Sequence, residues 1–256
     1  MYLVVTRSFP PELGGMQNLM WGLTNSISKY NLTKVFADYQ ENHKEVDDGV
    51  PFSIERVGGA KLIRKYRKAY LINEFINKNK KVECIIADHW KSLELIKSKK
   101  KKVCLIHSKE INHNKGSRSN KRVLNVLNNI DHIVANSEFT KNLAIENGVI
   151  SNKINVINPG VYPVKPLDKK ILDETENFLR GKNPRLITVS RLDKRKNHEK
   201  VIMALRNLKE IYPNIVYTCV GLGEEEENIK KLVKELNLEN HIRFLKDISQ
   251  NFKNAN

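Results

Sequence analysis

Short runs of β-branched and aliphatic residues alternate with longer amphipathic stretches along most of the chain, and this alternation limits the fold more than any other feature. A period of two that switches repeatedly to a helical period marks βαβ units around a parallel sheet, because parallel neighbours need a crossover segment. The predicted strands of the first series are 2–6 (YLVVT), 34–38 (KVFAD), 83–88 (ECIIAD), 102–107 (KVCLIH), 132–136 (HIVAN) and 154–158 (INVIN). Helical stretches such as 16–28, 62–77 and 119–128 lie between them. One α/β domain is therefore expected over residues 1–163. The stretch PGVYPVKP (159–166) reads as a stiff connector, and 164–183 as a linker holding a polar helix over 168–179. A second α/β series follows at 184–256, with strands 185–190, 216–221 and 242–245 and helices 198–211 and 224–236. Three strands in about 70 residues fall short of a full domain of this kind, so the second Rossmann-like domain is expected to be truncated.

Charge says less. A formal net charge of +16 attracts nucleic acid, acidic lipid or phosphorylated ligands alike. The clusters Lys99–Lys102 and Lys61, Arg64, Lys65, Arg67 and Lys68 read either as solvated faces or as anion-attracting ones. Only 7% of residues are aromatic, and no helix-turn-helix, RNA-recognition or zinc spacing is present, so no specific nucleic-acid partner is expected. Cys84, Cys104 and Cys219 each sit in a short apolar run without a CxxC pair, which predicts reduced core residues and no metal site. The N-terminus lacks a basic n-region, and no apolar run approaches the roughly 18 to 20 residues of a membrane span. The expected location is cytoplasmic.

Three segments carry candidate chemistry. In 6–17, TRSFPPELGGMQ, a strand empties into a loop with paired glycines and then a helix; Gly14 and Gly15 either let a ligand approach the helix amides or only make a turn. In 190–198, SRLDKRKNH, a strand end meets a helix start. Ligands of open α/β sheets lie beyond the carboxyl ends of strands, so Arg191, a forked permanent cation, and Lys196, a mobile one, match the two phosphates of a nucleoside diphosphate. Lys194 and Arg195 are expected to face solvent. In 220–224, VGLGE, Gly221 and Gly223 permit close backbone approach beside the Arg191 loop.

Taken in order, these pieces resemble glycosyltransferase family 4, the retaining, group 1 glycosyltransferases of GT-B fold. The resemblance rests on PPELGGMQ, IHSKEI, VANSEFTKNLAIENGVISNKINVINPGV (134–161), VSRLDKRKNHEKVIMAL and VGLGE, and runs over almost the whole chain. It implies an α/β GT-B architecture of two Rossmann-like domains facing a cleft, the N-terminal one binding the acceptor. It also implies that Arg191 and Lys196 hold the donor diphosphate with support from Gly14 and Gly15, and that His107 stands by the donor sugar as the catalytic histidine. Ser137 is expected to cap the helix that begins there. The implied reaction moves a sugar from a nucleotide-diphosphate sugar to a hydroxyl of a glycan or lipid-linked glycan with retention, the donor being a co-substrate and no cofactor or metal being obligatory. No D-x-D motif occurs in the sequence.

The sequence departs from the family pattern at Asn197, where glycine is usual, at Leu222, where an acid is common, and at Glu224, where proline is common. The family's paired-glutamate E-x7-E segment has no counterpart in these 256 residues, so donor binding is expected more firmly than turnover. Other readings stay open at this level: a nucleotide-sugar 2-epimerase of the same fold, a basic nucleic-acid-binding protein, or a non-catalytic chain. The basic helix 62–77 is a candidate contact with an anionic membrane surface, through Arg64, Lys65, Arg67 and Lys68.

Overall fold

The computed structural model describes residues 1–12, 14–160 and 169–245, and these divide into two units, Met1–Pro163 and Val164–Asn256. In the first unit the order is β1 (Tyr2–Val5), α1 (Gly15–Ser28), β2 (Thr33–Asp38), α2 (Lys44–Asp47), β3 (Ser53–Val57), α3 (Lys61–Lys78), β4 (Cys84–Ala87), α4 (Trp90–Leu93), β5 (Lys101–Ile106), α5 (Arg118–Leu127), β6 (His132–Ala135), α6 (Glu138–Glu146) and β7 (Ile154–Val156). In the second it is α7 (Lys169–Leu179), β8 (Arg185–Val189), α8 (His198–Ile211), β9 (Val216–Val220), α9 (Glu226–Glu235) and β10 (Ile242–Leu245). The connector residues 161–166 and the linker residues 164–168 lie outside the described residues.

Every apolar run read as a strand forms one, with ends that agree to within two residues; Thr33–Asp38 and Lys101–Ile106 begin one residue earlier than expected, and Ile242–Leu245 has the expected bounds. β3 was not expected. It is the edge strand of its sheet, and its polar residues Ser53, Glu55 and Arg56 interrupt the apolar run that marks a doubly covered parallel strand. The first sheet has seven parallel strands in the order β3-β2-β1-β4-β5-β6-β7. Both faces are buried: Leu3, Phe36, Ile85, Ile106 and Ile133 pack with Leu127 on one, and Val4, Val35, Ile86 and Leu105 line the other. Ser137 caps α6 by accepting from the Thr140 N–H. All three cysteines are free, Cys104 and Cys219 buried and Cys84 partly so.

The second unit has three parallel strands in the order β10-β9-β8 among the described residues. α8 and α9 pack Ile202, Leu205, Ile229 and Val233 against Tyr217 and Cys219. α7 is joined to this unit: Arg243 of β10 stacks on Phe178 at 4.6 Å, and Arg185 donates to the Leu179 carbonyl at 3.0 Å. Among the described residues β8 pairs on one side only, and Ile187 and Val189 are 67% and 62% exposed.

A buried polar lattice ties the carboxyl ends of β1, β2 and β4 together. Lys68 of α3 is 6% exposed and donates to the Thr6 carbonyl at 2.8 Å and to the Asp38 carboxylate. Asp88, just past β4, accepts from Thr6 Oγ1 and Arg7 N, both at 2.9 Å. Burial pushes the Lys68 ammonium below its usual range, and Asp38 opposes that shift. Removing one partner leaves the other charge buried and unanswered, so Lys68→Ala should cost roughly 3 to 5 kcal/mol in denaturant unfolding, while Lys68→Met paired with Asp38→Leu should cost much less.

Candidate functional site

In a parallel sheet all carboxyl ends meet at one edge, and each unit carries its candidate residues there. In the second unit β8 ends at Val189 and the chain turns outward through Ser190 and Arg191. Leu192 then plunges back into the core, almost wholly buried, and anchors the loop. Its N–H donates to the Leu222 carbonyl at 2.9 Å, and its carbonyl accepts from Glu225 N at 3.0 Å. Arg191 and Lys196 are left exposed around this anchor. The Arg191 guanidinium is 3.5 Å from Asp193, whose carboxylate also accepts from the Lys196 N–H at 3.2 Å. Lys196 has no ion-pair partner among the described residues, and Lys194 and Arg195 face solvent as expected.

Gly221 and Gly223 are needed for this geometry. A Cβ on Gly221 would collide with the Ser190 carbonyl, and one on Gly223 with the backbone of Leu192. The backbone these glycines admit is therefore the neighbouring loop, pressed against the turn from 220 to 224. Gly221 also has φ 146, where a side chain is strained. Asn197 has φ 56 and ψ 40, a left-handed conformation that glycine adopts freely and that asparagine tolerates best among the rest. Its departure from the family glycine thus preserves the turn.

Sequence reading missed His198, which opens α8. It is buried, with Nδ1 3.2 Å from the Tyr217 hydroxyl and Nε2 3.1 Å from Ser190 Oγ and 3.3 Å from the Arg191 carbonyl. One side chain thereby fixes the Arg191 loop to both α8 and β9. Burial lifts the Tyr217 hydroxyl to about 12, so it stays protonated and able to donate.

In the first unit His107 follows β5. Its backbone N–H donates to the Glu110 carboxylate, and its Nε2 is buried with no hydrogen-bond partner among the described residues. Burial lowers its basicity while Glu110 and Asp88 pull the other way. A neutral imidazole with an unanswered ring nitrogen is suited to a ligand hydroxyl. Gly14 is the N-cap of α1 with an extended φ of 164, and a Cβ on Gly15 would meet nothing within 4 Å. The space is open at Gly15 only, because the Gln17 side-chain amide lies where a Cβ on Gly14 would sit and so occupies part of the helix start. The loop before it is held by Arg56, which donates to the Pro10 carbonyl, lies 5.6 Å from the Phe9 ring and is clamped by Asp47 at 2.7 and 3.1 Å. Arg56 was missed because β3 was missed. Gly14, Gly15 and His107 thus belong to one unit, and Arg191, Lys196, Gly221 and Gly223 to the other.

The α3 cations differ from expectation. Lys68 is buried on Asp38, Arg64 lies 3.4 Å from the same carboxylate, and Lys65 lies 2.6 Å from Glu94. What α3 turns outward is Leu62, Ile63, Tyr66 and Tyr70, with Arg67 among them. No helix among the described residues is long and apolar enough to cross a membrane, and no group of described residues could hold a metal ion.

The family model described as Glycosyltransferase Family 4 matches residues 14–165, and that described as Glycosyl transferases group 1 matches residues 170–255. The chain belongs to glycosyltransferase family 4. A glycosyltransferase of Haemophilus influenzae is 31% identical over 115 residues, 45% of this family-4 chain and 30% of that protein. One from Methanocaldococcus jannaschii is 35% identical over 107 residues, 40% of this chain and 26% of that protein. The aligned part is thus under a third of either relative, and both are described as uncharacterized. Anabaena HepE in complex with UDP has the same fold, with TM-score 0.75 and 18% identity over 96% of this chain and 68% of its own. The architecture is α/β of GT-B type, built from Rossmann-like units.

Two outcomes follow for a family-4 chain held in this way. Gly221→Ala should destabilise the second unit by roughly 2 to 5 kcal/mol through overlap and strain, read as an earlier chemical melt, while Asn197→Gly should be tolerated. Hydrogen bonds from Arg122 and then Lys65 hold Glu94 down at about 2. Its contribution to stability is full above its ordinary value of 4.5 and is lost as pH falls towards 2. The melting difference between the wild type and Glu94→Gln should therefore close over that interval.

Proposed function

We propose that the chain binds a nucleotide-diphosphate sugar through Arg191 and Lys196 and serves transfer of the sugar to a hydroxyl acceptor with retention. The observation that carries this is the pair of exposed cations at the carboxyl end of β8, on a loop held by Leu192, His198 and two glycines. As the bond to the leaving diphosphate breaks, negative charge grows on its oxygens. Fixed cations then stabilise the transition state more than the ground state, the work that a divalent metal does elsewhere, so no metal or other cofactor is required. UDP in the HepE complex is consistent with a nucleotide ligand for this fold. His107 supplies a neutral ring nitrogen to a hydroxyl of the donor sugar, and Gly14 and Gly15 offer amides to the phosphates.

The first unit holds the acceptor in this reading, a glycan or a lipid-linked glycan of polysaccharide biosynthesis at the inner face of the cell membrane. The outward face of α3 supports a peripheral contact with that surface. Tyr66 and Tyr70 are amphipathic rings suited to the headgroup layer, Leu62 and Ile63 are apolar, and Arg67 adds a cation for anionic lipid.

Affinity for UDP-, GDP- and ADP-sugars, measured by calorimetry on the wild type and on Arg191→Ala with Lys196→Ala, tests the donor site. Loss of charged hydrogen bonds worth about 1.5 to 3 kcal/mol each should weaken the preferred donor roughly tenfold or more. Unchanged affinity for every donor would sink the assignment. Co-sedimentation with phosphatidylglycerol vesicles should drop for Leu62→Ser with Tyr66→Ser, and a salt-sensitive binding untouched by those changes would remove α3 from the membrane contact.

A further inference from the structure

The order of the first sheet reverses between β1 and β4, and ligands of open α/β sheets bind outside the carboxyl ends of strands at such a reversal. Val5 of β1 pairs in register with Ala87 of β4. One residue further on, Thr6 and Asp88 are joined by a 2.9 Å hydrogen bond. One further still, at matching positions on the two strand ends, stand Arg7 and His89. Lys91 follows at once in α4, with its ammonium 5.2 Å from the Trp90 ring.

The carboxylates around these residues are already engaged. Asp88 is buried and accepts from Thr6 Oγ1, Arg7 N and Ser92 Oγ. Glu94 takes Lys65 and Arg122, Asp38 takes Lys68 and Arg64, and Glu110 takes the His107 N–H. Among the described residues no carboxylate lies within ion-pair distance of Arg7 or Lys91. The two cations repel each other: burial lowers the Lys91 ammonium, Arg7 and then Arg122 lower it further, and Glu94 offsets only part of this from beyond ion-pair distance.

His89 completes the group. Its Nδ1 accepts the Lys91 backbone N–H at 2.9 Å, so that nitrogen carries no proton and the neutral ring carries its hydrogen on Nε2. Burial, followed by Arg7 and Lys91, holds the ring at about 3, which keeps it in that form at neutral pH. His89 is thus fixed as a neutral hydrogen-bond donor beside two cations.

We propose that Arg7, His89 and Lys91 form a binding site for a phosphoryl group carried by the acceptor. Two cations and one neutral donor match a phosphate dianion, whereas a carboxylate would answer only one of the charges. The proposal rests on the reading that the first unit holds the acceptor, and it gives that acceptor a chemical class: a phosphorylated sugar, or a glycosyl phosphate on lipid.

The test is binding of inorganic phosphate by calorimetry to the Arg191→Ala, Lys196→Ala chain, in which the donor cations are removed. Arg7→Ala and Lys91→Ala should each weaken phosphate roughly tenfold or more, with melting temperatures close to the parent. His89→Asn, which keeps an oxygen to cap α4 but lacks the distant N–H, should weaken it by a few fold, and His89→Gln, which restores that N–H, should recover part of the loss. Phosphate affinity indifferent to Arg7→Ala and Lys91→Ala, or glucuronate bound as tightly as phosphate, would overturn the site. Competition separates this from the acceptor reading. Displacement of phosphate by glucose 6-phosphate, or by vesicles containing phosphatidic acid, supports a soluble or a lipid-borne acceptor respectively. Displacement by UDP alone would give the site to the donor and overturn its assignment to the acceptor.

Discussion

A parallel sheet brings the carboxyl ends of all its strands to a single edge, and the loops leaving them must find partners for their polar groups or face water. In this chain the edge of the first sheet is held by side chains: Asp88 gathers Thr6, Arg7 and Ser92, while Lys68 closes on Asp38 and Thr6. In the second unit the edge is held by backbone, with Gly221 and Gly223 packed against Ser190 and Leu192. The exposed cations at both edges depend on these supports. Arg7 has its backbone bonded to Asp88, and Arg191 has its carbonyl close to His198.

The division between what the sequence reveals and what it hides follows burial on two faces. Strands covered on both sides, such as Tyr2–Val5 and Cys84–Ala87, are apolar throughout, so they stand out. β3, at an edge, has no such run and goes unmarked, and with it goes Arg56, whose hold on the Pro10 carbonyl joins residues far apart in sequence. The exposure of Arg191 and Lys196 at a strand end is legible because a basic cluster between a strand and a helix seldom enters a core. His198 is not, because a lone histidine at a helix start looks the same whether it faces water or knits a loop to its sheet. The basic helix misleads in the opposite way. Residue type shows the charge of Lys65 and Lys68, but only three dimensions show that Glu94 and Asp38 consume it.

The glycines carry a similar lesson. Gly221 and Gly223 resemble a ligand cradle in a linear reading, yet the backbone they accommodate belongs to the Arg191 loop. This ties specificity to packing. A substitution in the turn reaches the cations through a displaced main chain, without touching any bound molecule, and a loss of affinity there would be an effect of shape.

β8 brings one further consequence. Among the described residues it lends its hydrogen-bonding groups to β9 alone, and it turns Ile187 and Val189 outward. Such an edge is a template: its free N–H and C=O groups accept any extended chain, and its apolar side chains reward the match. An extended segment pairing with β8 would meet these groups first, and the net charge of +16 on the chain opposes the approach of a second copy.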